Sequence, residues 1–179
     1  MRRRGDERRM IKGILLIVVI FAVLFDLRTY RIPNRLLLCG LIATEVSTLI
    51  AGGWRQLGIS VLGIVLPILL LFLLYQLRVL GAGDIKLFAV IGGGIGPGVW
   101  KVILYSFIVG GVLALIQMVY HHNLVSRIHY FWQYIQGFFY RGQIVPYSSG
   151  FEKGERRNVL HFSIPILIGY IFWLLKGWV

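Results

Sequence analysis

The chain has 179 residues, of which 58% are hydrophobic, and a mean hydropathy of +0.78 is too high for a soluble domain of this size. In a soluble protein its formal net charge of +12 would indicate nucleic-acid binding. Here the Lys and Arg residues flank long apolar runs, which is typical of membrane topology and of contact with anionic lipid, so no nucleic-acid partner is predicted. The single cysteine excludes an internal disulfide and a cysteine-based zinc site.

The first predicted membrane span is Ile11 to Phe25, which follows a segment rich in Lys and Arg. It resembles a signal peptide, but it ends in Asp26 without a small-residue cleavage site, so we expect it to be retained. The chain should then turn at Pro33, with Asn34 as the cap of the next helix. The second span is expected from Leu36 to Ala51.

Four further spans are expected, at 57–77, from Leu87 to about Ile95, at 99–120 and at 159–175. The third contains Pro67, where we expect a kink. Glycines spaced four apart occur at the far end of the fourth span, at Gly92/Gly96 and Gly94/Gly98. This spacing favours close helix contact, because a phosphate-binding loop would need a strand before it and a helix after it.

Residues 121–158 are expected to lie along the membrane surface rather than to cross the membrane. Apolar and aromatic residues recur there at helical spacing, with polar residues between them. The segment is either a docking surface for a substrate or a spacer that lies on lipid. The chain is therefore predicted to be all-α, a single membrane domain over 1–179 with six transmembrane helices plus an interfacial amphipathic helix.

The distribution of Lys and Arg predicts which side of the membrane the loops face. If six spans alternate, the side that holds Asp26 and the Gly81–Lys86 turn has ten Lys and Arg residues, and the opposite loops and C-terminus have three. The richer side is expected to be cytoplasmic. The N-terminal tail disagrees, since its six Lys and Arg residues would then lie outside.

Asp26 and Asp84 are the candidate catalytic residues. An acid at one end of a predicted span is costly, and each of these lies at the same-side end. Two adjacent carboxyls in a low dielectric share a proton, so one can take a proton from water while the other donates to a carbonyl oxygen. This is aspartic peptidase chemistry, which needs no metal and no cofactor. A lone acid here would more often be a helix cap or a topology charge, and the pair is what favours catalysis.

Three residues around Asp84, together with Pro33 and Asn34 after Asp26, are candidates for substrate-binding or supporting roles. Gly81 and Gly83 have no Cβ, so the backbone there can approach an extended peptide and supply amide donors. Lys86 lies within about one turn of Asp84, where it would bias the charge of that carboxyl or bind a lipid phosphate.

The remaining titratable residues give no further site. Three histidines near one interface have no carboxylate cluster beside them, so no metal site is predicted: His121, His122 and His129. His161 is expected to begin the last span. Glu45 lies in the middle of the second span and is expected to tilt away from the two acids, toward the other side.

Two phrases of the sequence carry a family resemblance: Asp26 followed by Ile32-Pro33-Asn34, and Leu80-Gly81-Ala82-Gly83-Asp84-Ile85-Lys86-Leu87. They resemble the type IV prepilin peptidases, intramembrane aspartic peptidases with a Gly-x-Gly-Asp motif. The similarity covers a core at about 14–115, with a weaker match at 161–169. The chain lacks the paired cysteines of long bacterial members, so it is similar to the compact members that serve tight-adherence or Flp-type pili, and methyl transfer is left open.

The resemblance implies a function and a location. It implies six helices in the inner (plasma) membrane, with Asp26 and Asp84 as the catalytic pair on the cytoplasmic face. It also implies that the substrates are prepilin or pseudopilin precursors, from which a basic leader is cleaved.

Two other functions stay open at this point. A small proton-coupled transporter also uses membrane acids, although such proteins often show inverted repeats and binding at the midplane, and this sequence shows no repeat. A non-catalytic assembly factor of a pilus or secretion system would differ in having no activity.

Overall fold

The computed structural model describes residues 2–77, 79–120 and 161–176, so the predicted interfacial segment at 121–158 lies outside the described residues. Within those ranges the chain is entirely helical and contains no strand. The helices are α1 (Arg2–Thr29), α2 (Asn34–Gln76), α3 (Ala82–Ile95), α4 (Val99–Tyr120) and α5 (Ser163–Lys176), with a 3-10 turn at Gly96–Gly98 between α3 and α4.

Three helical stretches of the described chain are long and apolar enough to cross a membrane, and α5 is a shorter apolar helix. The three stretches are Arg9–Thr29, Asn34–Gln76 and Ala82–Gln117. Large apolar side chains cover their outer surface; Leu69 and Leu73 on α2, for example, are 72% and 66% exposed. Such a surface fits lipid and not water, so this is a membrane protein.

α2 is a helical hairpin. Gly53 interrupts it with φ 64° and ψ −163°, a conformation open essentially to glycine alone. The hydroxyl of Ser60 lies 2.5 Å from Glu45 Oε1, whereas fifteen residues of straight helix would separate them by about 22 Å. The chain therefore reverses near Gly53, where the break between the second and third spans was predicted. At Pro67 the backbone angles stay within the helical range, so α2 continues through this residue, and the kink expected there stays a prediction.

α3 is the buried centre of the bundle, with every residue from Leu87 to Gly93 buried. Gly92 meets Gly63 of α2 backbone to backbone, so a Cβ on either residue would overlap the other's carbonyl group. The Cβ of a larger residue at Gly94 would lie 2.7 Å from Leu15 of α1. The close helix contact predicted from these glycines is confirmed at Gly92.

The helix boundaries differ from the predicted spans mainly in α1. This helix begins at Arg2 and continues through Asp26 to Thr29, so the first acid lies inside a helix and not in a turn. Gly96, with φ 67°, ends α3 and separates it from α4, as the predicted fourth and fifth spans require.

α5 closes the bundle against α4 and α1. Its Ile166 and Tyr170 are fully buried, and the Tyr170 hydroxyl donates to the carbonyl oxygen of Lys12 on α1 at 3.0 Å. Gly169 fits against Ser106 of α4, where a Cβ would lie 2.7 Å from the Ser106 backbone nitrogen. This packing places the residues that precede α5 beside the C-terminal end of α1.

Candidate active site

Asp26 lies on the last turn of α1, which ends at Thr29. Thr29 Oγ1 is within hydrogen-bond distance of two carbonyl oxygens, at 2.9 Å from Phe25 and 3.0 Å from Arg31. The Tyr30 N–H donates to the Asp26 carbonyl oxygen at 2.8 Å, and Tyr30 then takes a φ of 54°, which stops the helix. The side chain of Asp26 is 14% exposed, so it lies within the bundle rather than on its surface.

Asp84 lies in the first turn of α3. Gly81 precedes this helix in an extended conformation, and its carbonyl oxygen accepts from the Ile85 N–H at 3.4 Å. The backbone of Gly81 also hydrogen-bonds the Asp84 carboxyl. A Cβ on Gly81 would lie 3.1 Å from Asp84 Oδ2, so a larger residue at this position would crowd the acid.

The structure brings the two acids together at one end of the bundle. The carboxyl of Asp84 lies close enough to Asp26 for their negative charges to repel each other. The loop after α1 also packs against the first turn of α3, since a Cβ on Gly83 would lie 3.5 Å from the Ile32 side chain. The C-terminal end of α1 and the N-terminal end of α3 therefore lie together, and the catalytic role of the two acids stays a prediction.

Two residues at the start of α5 contact Asp26, and sequence reasoning missed both as parts of the site. Ser163 Oγ donates to Asp26 Oδ2 at 2.6 Å, and His161 Nδ1 lies 3.2 Å from the same oxygen. The His161 ring also packs on Tyr30, with ring centroids 4.7 Å apart. A signal existed in the sequence, because both are polar residues that begin an apolar run on the side predicted for Asp26.

Lys86 and Asn34 form a contact beside the acid pair. Lys86 Nζ donates to Asn34 Oδ1 at 2.9 Å, which ties the start of α2 to the first turn of α3. The expected role of Asn34 as a helix cap is wrong. Pro33 occupies the cap position without a capping side chain, and Asn34 is already the first helical residue with its amide oxygen turned to Lys86.

Glu45 takes no part in the pair. It contacts Ser60 and lies beside Gly93, where a Cβ would come 2.6 Å from Glu45 Oε1. Gly93 is nine residues along α3 from Asp84, or about 13 Å. Glu45 is thus distant from the acids and lies toward the opposite end of α3, as expected, where it is held between helices.

The described residues contain no group of three His, Cys, Asp or Glu side chains arranged to hold a metal ion. His121, His122 and His129 lie outside the described residues.

A membrane-embedded helical bundle with two neighbouring carboxyls at one end is the class of protein that this fold and site define. Sequence comparison then narrows the class, because the model of the type IV leader peptidase family matches residues 13–118. The chain belongs to the type IV leader peptidase family, a family of peptidases, which confirms the resemblance carried by its two motifs. The matched range includes both acids. Comparisons with curated proteins and with solved structures give no match.

Proposed function

We propose that this protein is an aspartic endopeptidase that cleaves the basic leader from prepilin or pseudopilin precursors at the cytoplasmic face of the inner membrane. The observation that carries this proposal is the position of Asp26 and Asp84 at one end of the bundle, close enough for their charges to repel, in a chain of the leader peptidase family. The two carboxyls come from different helices and from distant parts of the sequence. Their proximity therefore depends on the packing of the whole bundle and is not a local accident.

The helices support six crossings. The halves of α2 on either side of Gly53 are about 28 and 34 Å long, enough for one crossing each, and α1, α3, α4 and α5 supply the other four. α3 is about 21 Å long, shorter than a hydrocarbon core of about 30 Å, so Asp84 lies within the membrane border. The ten Lys and Arg residues of the loops on this side support a cytoplasmic active site.

The contacts around the two acids support an ionised Asp26 beside a protonated Asp84. Asp26 accepts from the Ser163 hydroxyl and lies within reach of His161, and both groups can donate to an ionised carboxylate. For Asp84 the described residues supply the backbone of Gly81. Asp26 then acts as the base that takes a proton from the attacking water, and Asp84 donates to the carbonyl oxygen of the scissile peptide.

The helix dipoles act in the opposite direction, and the magnitudes decide between the two effects. Asp26 is at the C-terminal end of α1 and Asp84 at the N-terminal end of α3, so the dipoles favour the negative charge on Asp84. Each such effect is worth about 0.3–1 kcal/mol. A hydrogen bond to a charged group is worth about 1.5–3 kcal/mol. Because Ser163 and His161 both reach Asp26, the hydrogen bonds outweigh the dipoles.

The backbone before Asp84 leaves room for a substrate. Gly81 and Ala82 are exposed, and Gly81 has no side chain that would keep an extended peptide away from the carboxyl. At Gly83 the side chain of Ile32 occupies the adjacent space. Lys86 and Asn34 hold the α2–α3 border in place beside this opening. A precursor can therefore present its extended cleavage site to the acids while its apolar stem lies in lipid.

The test is cleavage of a prepilin-like precursor, with a basic leader followed by an apolar helix, by the full-length protein in lipid vesicles. Asp26→Asn and Asp84→Asn should each lower the cleavage rate by about 10²–10⁴-fold, the usual contribution of general acid–base catalysis, without changing membrane insertion. Asp6→Asn is the matched control, because Asp6 lies on α1 about 30 Å from Asp26 and should leave the rate unchanged. A normal rate in either active-site variant would remove that residue from the chemistry.

A further inference from the structure

A separate cavity lies at the end of the bundle opposite the acid pair. Its volume is about 560 Å³, and it is bounded by α1, both halves of α2, the end of α3 and α5. Its lining includes Lys12, which lies fourteen residues from Asp26 along α1, or about 21 Å. The polar side chains that line it are Glu7, Lys12, Thr48, Arg55 and Gln56.

Thr48 lines this cavity and carries an unsatisfied hydroxyl. The residue is 1% exposed, and its Oγ1 is the buried side-chain atom of the described residues that has no hydrogen-bond partner. Neighbouring hydroxyls on the same helix behave differently, since Thr44 and Ser47 each donate to a helix carbonyl at 2.7 Å. Leaving a buried hydroxyl unpaired costs free energy. Oγ1 has almost no accessible surface, so a ligand in the cavity would complete the pairing after the Thr48 side chain turns about χ1.

Lys12 is held at the cavity by aromatic residues of α5. Lys12 Nζ lies 5.1 Å from the centroid of the Trp173 ring, and that ring stacks on the fully buried Tyr170 at 6.0 Å. The Tyr170 hydroxyl in turn donates to the backbone carbonyl of Lys12. The Trp173 ring, fixed by its stacking on Tyr170, therefore holds the Lys12 ammonium group in place by a cation–π contact.

The charges of the lining favour an anion. Arg55 enters the cavity from the hairpin turn of α2, and Lys12 enters from α1. Glu7 supplies one carboxylate, which leaves the lining with one net positive charge. Guanidinium and ammonium groups pair well with phosphate oxygens.

We propose that this cavity binds the headgroup of an anionic phospholipid, with the phosphate between Lys12 and Arg55 and with Thr48 donating to a phosphate oxygen. Basic pockets between membrane helices are suited to lipid headgroups. The cavity is at headgroup depth, because α2 reverses there at Gly53 and α3 ends there. Glu7 can accept from headgroup hydroxyls such as those of phosphatidylglycerol. Apolar side chains of the lining are placed to meet the first acyl carbons: Ile11, Ile59 and Ile95.

The experiment measures lipid retained by the purified full-length protein in neutral detergent, by native mass spectrometry. The probes are phosphatidylglycerol, phosphatidylcholine as the zwitterionic competitor, and inorganic phosphate without lipid. The wild type should retain one phosphatidylglycerol with about tenfold preference over phosphatidylcholine, and Arg55→Gln or Lys12→Gln should weaken retention about tenfold. Lys101→Gln is the control, because Lys101 lies 5.8 Å over Trp100 at the same end of the bundle but outside the cavity, and it should change nothing.

Thr48→Val separates binding from folding. Removal of the unpaired hydroxyl should raise the Tm of the lipid-free protein and reduce the further rise that phosphatidylglycerol produces. A Thr48 with a structural role alone would leave the lipid-induced rise unchanged.

Three results would overturn the proposal. Equal retention of phosphatidylglycerol and phosphatidylcholine would exclude recognition of an anionic headgroup. Unchanged retention in both cation variants would place the lipid elsewhere. An equal Tm rise with inorganic phosphate alone would show a site for free phosphate and not for lipid.

Discussion

Ser163 on α5 donates a hydrogen bond of 2.6 Å to Asp26 on α1, a residue 137 positions earlier in the chain. The contact makes the last helix part of the proposed active site. α5 is held in place by the buried Ile166 and Tyr170 and by the fit of Gly169 against α4. The orientation of the proposed catalytic base therefore depends on how α5 packs against α1 and α4.

Ser163→Ala is expected to lower kcat about tenfold and to leave KM nearly unchanged, because the hydroxyl acts through Asp26 and does not touch the substrate. Steady-state cleavage of a prepilin-like precursor measures both constants. Ser163→Thr keeps the hydroxyl and should recover most of the rate. Ser47→Ala is the control, since the Ser47 hydroxyl bonds to its own helix at Ala43 and its loss should leave kcat unchanged. Equal loss in Ser163→Ala and Ser163→Thr would make Ser163 a packing residue instead.

The proximity of the two acids could be predicted from the sequence because it depends on the lengths and the order of the apolar runs. The lengths of the apolar runs place Asp26 and Asp84 at the same membrane depth, and the alternation of spans places them on the same side. The break near Gly53 was predictable for a similar reason, since one apolar run ends at Ala51 and the next begins at Leu57.

The contacts of α5 with Asp26 were not predictable in the same way. They depend on how far α5 is rotated about its axis and on where it begins, and its hydrophobic residues fix neither at single-residue precision. Ser163 is polar in an apolar segment, but the sequence does not show that its hydroxyl reaches another helix. The cap predicted at Asn34 failed for a related reason, because a partner on another helix, Lys86, competes for its amide oxygen.

Lys86→Gln and Lys86→Met distinguish a tether from a charge effect on Asp84. Glutamine can still donate to Asn34, so Lys86→Gln should cleave within about twofold of the wild type and keep its Tm. Methionine cannot donate, so Lys86→Met should lower both the Tm and the cleavage rate. The measurements are thermal unfolding in detergent and precursor cleavage, with Lys101→Met as an exposed lysine control at the other end of the bundle. Equal rate losses in the two Lys86 variants would show that the positive charge matters and not the hydrogen bond.

The contact between Gly63 and Gly92 is expected to limit stability. An added Cβ at either position meets backbone that cannot move aside, so Gly63→Ala or Gly92→Ala should lower the free energy of unfolding by about 1–3 kcal/mol. Gly58 lies on the same half of α2 with open space around it, and Gly58→Ala should be neutral or stabilising by up to about 1 kcal/mol. Unfolding in mixed micelles measures these differences. A Gly63→Ala variant as stable as Gly58→Ala would mean that the helices can separate at no cost.

The hydroxyl of Ser60 lies close to two oxygen atoms but has only one proton to donate. Ser60 Oγ lies 2.5 Å from Glu45 Oε1 and 2.5 Å from the carbonyl oxygen of Gly93. The hydroxyl has one proton, and a carbonyl oxygen can only accept, so when Ser60 donates to Gly93 the second contact requires a proton on Glu45. The triad then joins both halves of the α2 hairpin to α3 as neutral groups.

Glu45→Gln should therefore preserve the stability of the protein, because its amide can donate to Ser60 in place of the acid proton. Glu45→Ala should lower the free energy of unfolding by about 1–3 kcal/mol, since it removes that partner and opens a gap beside Gly93. Unfolding in mixed micelles at neutral pH compares the two variants with the wild type. If Glu45 were ionised in the folded protein, its carboxylate would accept a hydrogen bond from Ser60. Glu45→Gln could then place an NH₂ group, which only donates, at that position, and it would lower the free energy of unfolding as much as Glu45→Ala does. Because the triad lies about 13 Å from Asp84, neither variant should change kcat as long as the bundle stays folded.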